Sequence, residues 1–457
     1  MNIYIIVEIK KREFLSRLLL GLEAALNGHQ IYLGNIAPLI SRKIIKPGLI
    51  HHKSLTPNWF RSKELQRYKK LKFKVTSQDE EVGVGFNGIE DYTRIRYGSK
   101  TIKLNGIEDY TRIRYGSKTI KLIEYLFTWG KSDYYNLSKR YKKFKKKIVN
   151  SGNPRVDFWR KDFQKFYGRK NKKKFILISS NFESLFSVKT FFERYKILND
   201  SGYFKLGSSK KVMFNSLIIE TILIKHFIES VTNLSKKFKN KIFVFRPHPV
   251  EKVEEWKFIF KDCKNVIVRN HKDIGFELNN TELVIHNGCT VGLESSVRGI
   301  PTVSFMPIKE TKGHPIANKV SLVVKNEFQL TKVINKLLNK KNFTKKKNII
   351  NNVSEKTFEN INSGPSYKKI IKIWNSIDDK SLKKKNNDNI IKGYFNLKKF
   401  KNKLLSNNYI NSKFSDFTTE EINLLKKKFD LLDPNFKKLK IEILGKDCLK
   451  ISHVRKN

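Results

Sequence analysis

The order of apolar runs and small residues at positions 282–305, ELVIHNGCTVGLESSVRGIPTVSF, constrains the fold of this chain more than any other feature. Residues 283–285 are an apolar run of strand length, 287–290 suit a turn, 291–298 carry helical spacing, and 302–305 return to a strand. Gly299-Ile300-Pro301 is the stop signal between the helix and the second strand. The segment is thus predicted to be one βαβ unit of an α/β fold. Gly288 lets the backbone approach a ligand closely, and the free N–H groups and positive dipole end of the following helix favour a phosphate. Asn287, Gly288, Cys289 and Thr290 are therefore candidates for holding a phosphate group. Glu294, about one turn into the helix with Ser295 beside it, has a carboxylate suited to ribose hydroxyls, and His286 ends the strand within reach of the same ligand. The spacing also fits an ordinary connection in which Glu294 is a solvated helix residue and His286 a half-buried strand-end side chain.

A second motif sharpens the first. Residues 241–245 form an apolar strand that runs into Arg246-Pro247-His248-Pro249, with an amphipathic helix expected at 253–260. The two prolines fix φ and remove backbone donors, so the turn is stiff and presents Arg246 and His248 in a set direction. Ligands of open α/β sheets bind at the carboxyl ends of the strands. At that position Arg246 suits bidentate pairing with a diphosphate, and His248 can donate to phosphate or act as acid or base. The alternative is that Arg246 neutralises a carboxylate such as Glu254 while His248 caps the turn.

These motifs, together with GNPRVDFWR at 152–160 and VEIKKREFLSRLLLGLEAALNGH at 7–29, resemble the bacterial surface carbohydrate biosynthesis proteins. That family is allied to capsule polysaccharide and CDP-glycerol-type transferases and to nonhydrolysing UDP-sugar epimerases. The likeness covers about residues 1–375. It implies a GT-B-type α/β fold, two Rossmann-like domains facing each other across a cleft. The activity it implies is that of a glycosyltransferase or related transferase in surface polysaccharide assembly, using a nucleotide-activated sugar and a glycan or lipid-linked acceptor. No cofactor or metal is expected, because arginine, histidine and a helix terminus can offset the charge of the leaving phosphate. The catalytic base stays open among Glu8, Glu13 and His248. An epimerase on the same scaffold is the enzymatic alternative, and a basic nucleic-acid- or membrane-binding protein without catalysis is the other.

The remaining residues fit two α/β domains and an appendage. The first is expected at 1–160, opening with a strand at 2–7, a helix at 13–27 and a strand at 30–33; a linker is expected at 161–173 and the second domain at 174–376. Asn181-Phe182-Glu183-Ser184 should follow the first strand of that domain on the ligand side, and the loop 312–318 should reach the donor sugar. Arg155 is ambiguous between a cleft residue and a linker anchor. Beyond 377 the composition turns to lysine and asparagine, so a basic, partly mobile tail is expected, with a helix behind a capping box at 418–421 and a small hairpin over 440–451. The opening apolar run is too short and lacks the basic leader of a signal peptide, and no window is apolar enough to span a bilayer. Three cysteines, at 263, 289 and 448, have neither a disulfide framework nor metal spacing, which suits a reducing cytoplasm.

Two features resist a functional reading. Residues 87–104, NGIEDYTRIRYGSKTIKL, recur without change at 105–122. Two copies do not make a solenoid, so one copy should take the native place before the strand at 123–129 while the other bulges as a loop, which loop-closure entropy permits at small cost. The formal charge is +52, and most of the 94 basic residues are lysines spread along the whole chain rather than grouped with aromatic stacking positions. No specific nucleic-acid partner is expected from such a distribution. A cytoplasmic protein is expected, with part of the charge drawing it to anionic nucleotide sugars or to the inner face of an anionic membrane.

Overall fold

The computed structural model describes residues 1–57, 59–80, 94–97, 100–103, 114–168, 174–182, 185–187, 189–200, 210–270, 273–308, 315–339, 347–377, 382, 384–402 and 414–454. In chain order the first eight strands are β1 (Asn2–Ile6), β2 (Gln30–Gly34), β3 (Leu49–His52), β4 (Lys74–Gln78), β5 (Arg94–Tyr97), β6 (Lys100–Lys103), β7 (Tyr125–Thr128) and β8 (Ile148–Asn150). They are followed by β9 (Phe175–Ser179), β10 (Phe243–Arg246), β11 (Val266–Val268), β12 (Thr281–His286), β13 (Thr302–Phe305), β14 (Leu322–Val324), β15 (Leu439–Gly445) and β16 (Cys448–His453). Two compact units emerge. Unit 1 comprises Met1–Gly83, Tyr110–Gly168 and Glu355–Asn457, and unit 2 comprises Val84–Asp109 and Arg169–Ser354.

Unit 1 is a mainly parallel sheet in the order β15-β16-β2-β1-β3-β4-β7-β8. Its central strand β1 is buried along its whole length, as expected of a strand covered on both faces. The helix Lys10–Leu26 covers it by burying Phe14, Leu18, Leu22 and Ala25, which fall on one helical stripe. The order departs from chain order at β1, whose neighbours are β2 and β3. At the outer edge β16 pairs antiparallel with β2, Ile451 opposite Ile31, and β15 closes the hairpin. Gly34 makes that docking possible: at φ +139°, a Cβ there would lie 2.1 Å from the Asp447 carbonyl oxygen.

Three expected boundaries move, and the first is the end of the second domain, since residues 355–376 fall in unit 1. Residues 161–173 are not a linker throughout, because Lys161–Tyr167 form a 3₁₀ helix that buries Phe163, Phe166 and Tyr167. Phe166 packs on Phe158 and on Phe429 of the helix Thr419–Leu432, and this aromatic cluster holds the segment in unit 1. The expected tail is also part of unit 1. Thr418 caps the helix Thr419–Leu432 by accepting from the Glu421 N–H, and β15 and β16 complete the sheet. The hairpin expected over 440–451 buries Leu439, Leu444, Leu449 and Ile451. The GNPRVDFWR segment secures the same closure: Asp157 accepts from the Asn360 side chain and from the Ser366 and Tyr367 N–H groups at the start of the helix Ser366–Asn375.

The repeat adopts two structures. In the first copy β5 and β6 form an antiparallel hairpin, with Tyr97 opposite Lys100. In the second, Ser117–Ile120 is a helical turn, with Tyr115, Thr119 and Ile120 buried, Arg114 paired with Asp79 and the Thr119 hydroxyl donating to the Leu55 carbonyl. The second copy is therefore the one built into unit 1.

Unit 2 is a parallel sheet in the order β11-β10-β9-β12-β13-β14. Counted from β9, the strands lie in the order 3-2-1-4-5-6, the doubly wound arrangement of a Rossmann fold. Alternation along each strand feeds the two faces: Ile176, Ile178, Phe243, Phe245, Leu283 and Ile285 face one layer, while Phe175, Leu177, Val244 and Val284 face the other. The first layer is filled by Phe227, Val231 and Leu234 of the helix Lys210–Lys237 and by Trp256.

Candidate functional site

In a doubly wound sheet the chain leaves β9 and β12 in opposite directions around the sheet, which opens a crevice at their carboxyl ends. The register places Arg246 opposite Ser179, Ser179 opposite His286, and His286 opposite Ser304. The two sequence motifs thus meet in one row across the switch point of unit 2.

The Arg-Pro-His-Pro turn is held from beneath by Glu251, which the sequence reading passed over. Its buried carboxylate accepts from the Ser180 hydroxyl, the Phe182 and His248 N–H groups and the indole N–H of Trp256, at 2.8–3.0 Å. Burial pushes the Glu251 pKa up to about 8, outweighing the hydrogen bonds that pull it down. The turn is therefore stiffened by a carboxyl clamp as well as by its prolines. His248 is half-buried, and its ring lies over the turn with Nδ1 3.5 Å from the Val250 nitrogen. Glu254, the suggested partner for Arg246, instead lies at the surface with Lys257.

His286 is locked by both ring nitrogens. Nδ1 accepts from the Gly288 and Cys289 N–H groups at 2.9 and 3.2 Å, which assigns the proton to Nε2, 2.9 Å from the Ser321 hydroxyl. Ser321 in turn donates to the Ala317 carbonyl. The Gly288 and Cys289 N–H groups are accordingly taken up by the histidine, and the helix Thr290–Val297 begins directly after them. Gly292 of that helix fits against the imidazole; a Cβ there would lie 2.2 Å from Nε2. Cys289 is buried 3.7 Å from the Ser179 hydroxyl, and burial raises its thiol pKa, which disfavours a thiolate. Ser295 ties its helix to β13 through the Thr302 hydroxyl. Asn287 is buried, with its amide nitrogen 3.5 Å from the Asn181 carbonyl.

Arg246 and Glu294 share one charge cluster. Glu294 is buried and accepts from Arg298 at 3.3 Å, so it is an interior carboxylate rather than a solvated one. Arg246 is also buried; desolvation lowers its pKa while the nearby Asp273, Glu277 and Glu294 raise it. Arg269 pairs with Glu277 through both carboxylate oxygens, at 3.0 and 2.6 Å. The carboxyl edge of this sheet therefore has an arginine flanked by carboxylates, the buried serines Ser179 and Ser180, and a helix that starts at Thr290. Glu183, Ser184 and residues 312–314 lie outside the described residues.

In unit 1 the carboxylate of Glu13 accepts from the Glu8 and Ile9 N–H groups and so caps its own helix, while Glu8 pairs with Lys53 at the surface. A group that the sequence did not flag lies at the end of β4. Glu80 pairs with Arg17 out of contact with water, burial raises its pKa, and among the described residues Glu80 Oε2 and Arg17 Nη1 have no hydrogen-bond partner. Neither residue belongs to a motif, and only the tertiary pairing distinguishes them. Arg155 follows the Asn153 cap, to which it donates its N–H.

No family model matches the chain, and no curated protein matches it. Solved structures do. The UDP-GlcNAc 2-epimerase of Methanocaldococcus jannaschii is similar at 14% identity and a TM-score of 0.44, over 82% of this chain and 99% of that one. The UDP-GlcNAc 2-epimerase of Neisseria meningitidis bound to UDP-GlcNAc is similar at 12% identity and a TM-score of 0.45, over 82% and 99%. The wall teichoic acid polymerase TagF is similar at 12% identity and a TM-score of 0.44, over 82% and 88%.

Proposed function

We propose that unit 2 binds a nucleotide-activated sugar and that the chain is a glycosyltransferase-type enzyme of surface polysaccharide assembly, acting in the cytoplasm on a glycan or lipid-linked acceptor. The observation that supports this best is the convergence of Arg246 and Glu294, from two separate motifs, at the carboxyl edge beside the switch point of a Rossmann sheet. In this reading Arg246 and the helix end at Thr290 face the diphosphate, Glu294 takes the ribose hydroxyls, and His248 stands nearest the reacting sugar as acid or base. The charge of the leaving group is met by the guanidinium and the helix terminus, without a metal or other cofactor. His286, Gly288, Cys289 and Ser295 shape the turn, and Glu251 holds His248 in place.

A thermal-shift screen of nucleotide sugars tests the reading, since a ligand bound to the native state must raise the apparent melting temperature. Arg246→Ala and Glu294→Ala should each weaken nucleotide binding by about 1.5–3 kcal/mol, the cost of one charge-assisted contact. Calorimetry showing unchanged affinity in both variants would sink the site assignment. Conversion of a UDP-sugar in the absence of any acceptor would replace the transferase by an epimerase on the same scaffold.

A further inference from the structure

We infer that two packed helices of unit 2, Phe191–Asp200 and the amino-terminal half of Lys210–Lys237, dock onto an anionic lipid bilayer. The helix Lys210–Lys237 has 28 residues, about 42 Å of length, whereas the strands it crosses have four or five residues and span about 17 Å. It runs antiparallel to those strands between β9 and β10, so its surplus length lies at its amino-terminal end, beyond the carboxyl edge of the sheet. Burial agrees: Leu223, Ile224, Phe227, Val231 and Leu234 reach the core, and none of the described residues from Lys210 to Thr221 is buried. The projecting half is braced by the helix Phe191–Asp200, whose Phe191 and Tyr195 rings lie 5.1 and 5.9 Å from the Phe214 ring.

The outer surface of these two helices is apolar where a water-facing helix should be polar. Phe214, Ile218 and Ile222 recur every fourth residue along one stripe, and Phe192 and Ile218 are 71% and 60% exposed. Exposed apolar side chains repeated along a helix in this way mark an interaction surface. Its charges select the partner. Over residues 189–225 the sequence has seven lysines and arginines against the three acids Glu193, Asp200 and Glu220, so basic side chains are in excess even with Lys225 paired to Glu229. An apolar stripe with basic side chains around it is the pattern of an interfacial helix on anionic lipid. A second copy of the chain fits less well, since two faces rich in lysine and arginine on chains of formal charge +52 repel. The proposal stands apart from the nucleotide-sugar reading, because vesicle binding is measured with no nucleotide present.

Sedimentation of the full chain with vesicles of phosphatidylcholine alone, or doped with phosphatidylglycerol, tests it. The wild type should pellet with the anionic vesicles only, and Phe192→Ser combined with Ile218→Ser should lower that partition about tenfold or more, with an unchanged circular dichroism spectrum. Should the double variant misfold, Ile218→Trp gives an independent readout, a blue shift and quenching by brominated lipid on adding anionic vesicles. Failure of the wild type to pellet, equal partition of wild type and a folded double variant, or no emission change at position 218 would overturn the proposal. So would a dimer of the wild type that the double variant converts to monomer, because the face would then belong to a second copy.

Discussion

At the scale of single residues, unit 2 depends on polar side chains whose partners are its own interior. Glu251 is the clearest. Its folded pKa of about 8 stands above the ordinary value of 4.5, so between those values the native state holds a proton that the unfolded chain has released. Stability must then fall as pH climbs through that window, with a slope of up to about 1.4 kcal/mol per pH unit from this group alone. Melting curves across pH should show that slope in the wild type and lose it in Glu251→Gln, and a persistent slope in the variant would place the titrating group elsewhere. Gly292 makes a steric demand of the same kind. Gly292→Ala drives a methyl group into an imidazole fixed at both nitrogens, and denaturant unfolding should report a loss of about 3 kcal/mol. The histidine and glycine of HNGCTVG therefore belong to the frame of unit 2.

At the scale of elements, the tandem repeat shows how little a short sequence decides by itself. Lys-Thr-Ile-Lys is the strand β6 at 100–103, yet at 118–121 the same residues form and follow a helical turn. In the second copy Tyr115 and Ile120 are buried and Arg114 pairs with Asp79, and those contacts override a modest local preference. Because the copies are identical, deleting either one yields the same protein, and the remaining copy has every residue that the unit 1 slot requires. Removal of 105–122 should leave a folded chain with an equal or higher melting temperature, since a long inserted loop is only mildly unfavourable. Insoluble or molten product would show that both copies are structural.

At the scale of the whole molecule, charge is the property that composition makes most conspicuous and structure explains least. Lysines are distributed over both units, and many of their ion pairs are at the surface, as in Lys225 with Glu229 and Lys252 with Glu255. Pairs of this kind contribute little, and dispersed lysines bind polyanions only through contacts that salt removes. Gel-shift titrations should accordingly find weak, non-specific nucleic-acid binding that is largely gone at physiological ionic strength. A submicromolar, sequence-selective complex surviving that salt would move the function toward nucleic acid.

The sequence by itself determined β10, β12, β13 and the helices Val253–Ile259 and Thr290–Val297 to within a residue or two and put Arg246 at a strand end and Glu294 about one turn into its helix, because apolar period, proline and glycine act locally; it did not mark the helices Phe191–Asp200 and Ile274–Leu278 or the strands β11 and β14. It also located the caps at Thr418 and the hairpin at 439–453. What it left undecided was everything that depends on partners distant in the chain. The lysine-rich tail became an edge of the first sheet because β16 found an open neighbour in β2 and Gly34 left room for it. Glu13 caps its own helix, Glu251 clamps the Arg-Pro-His-Pro turn, and Arg17 with Glu80 is a buried pair. Their local sequence gives no sign of these roles, since the worth of a polar side chain is set by what surrounds it once water is gone, and only the tertiary structure decides that.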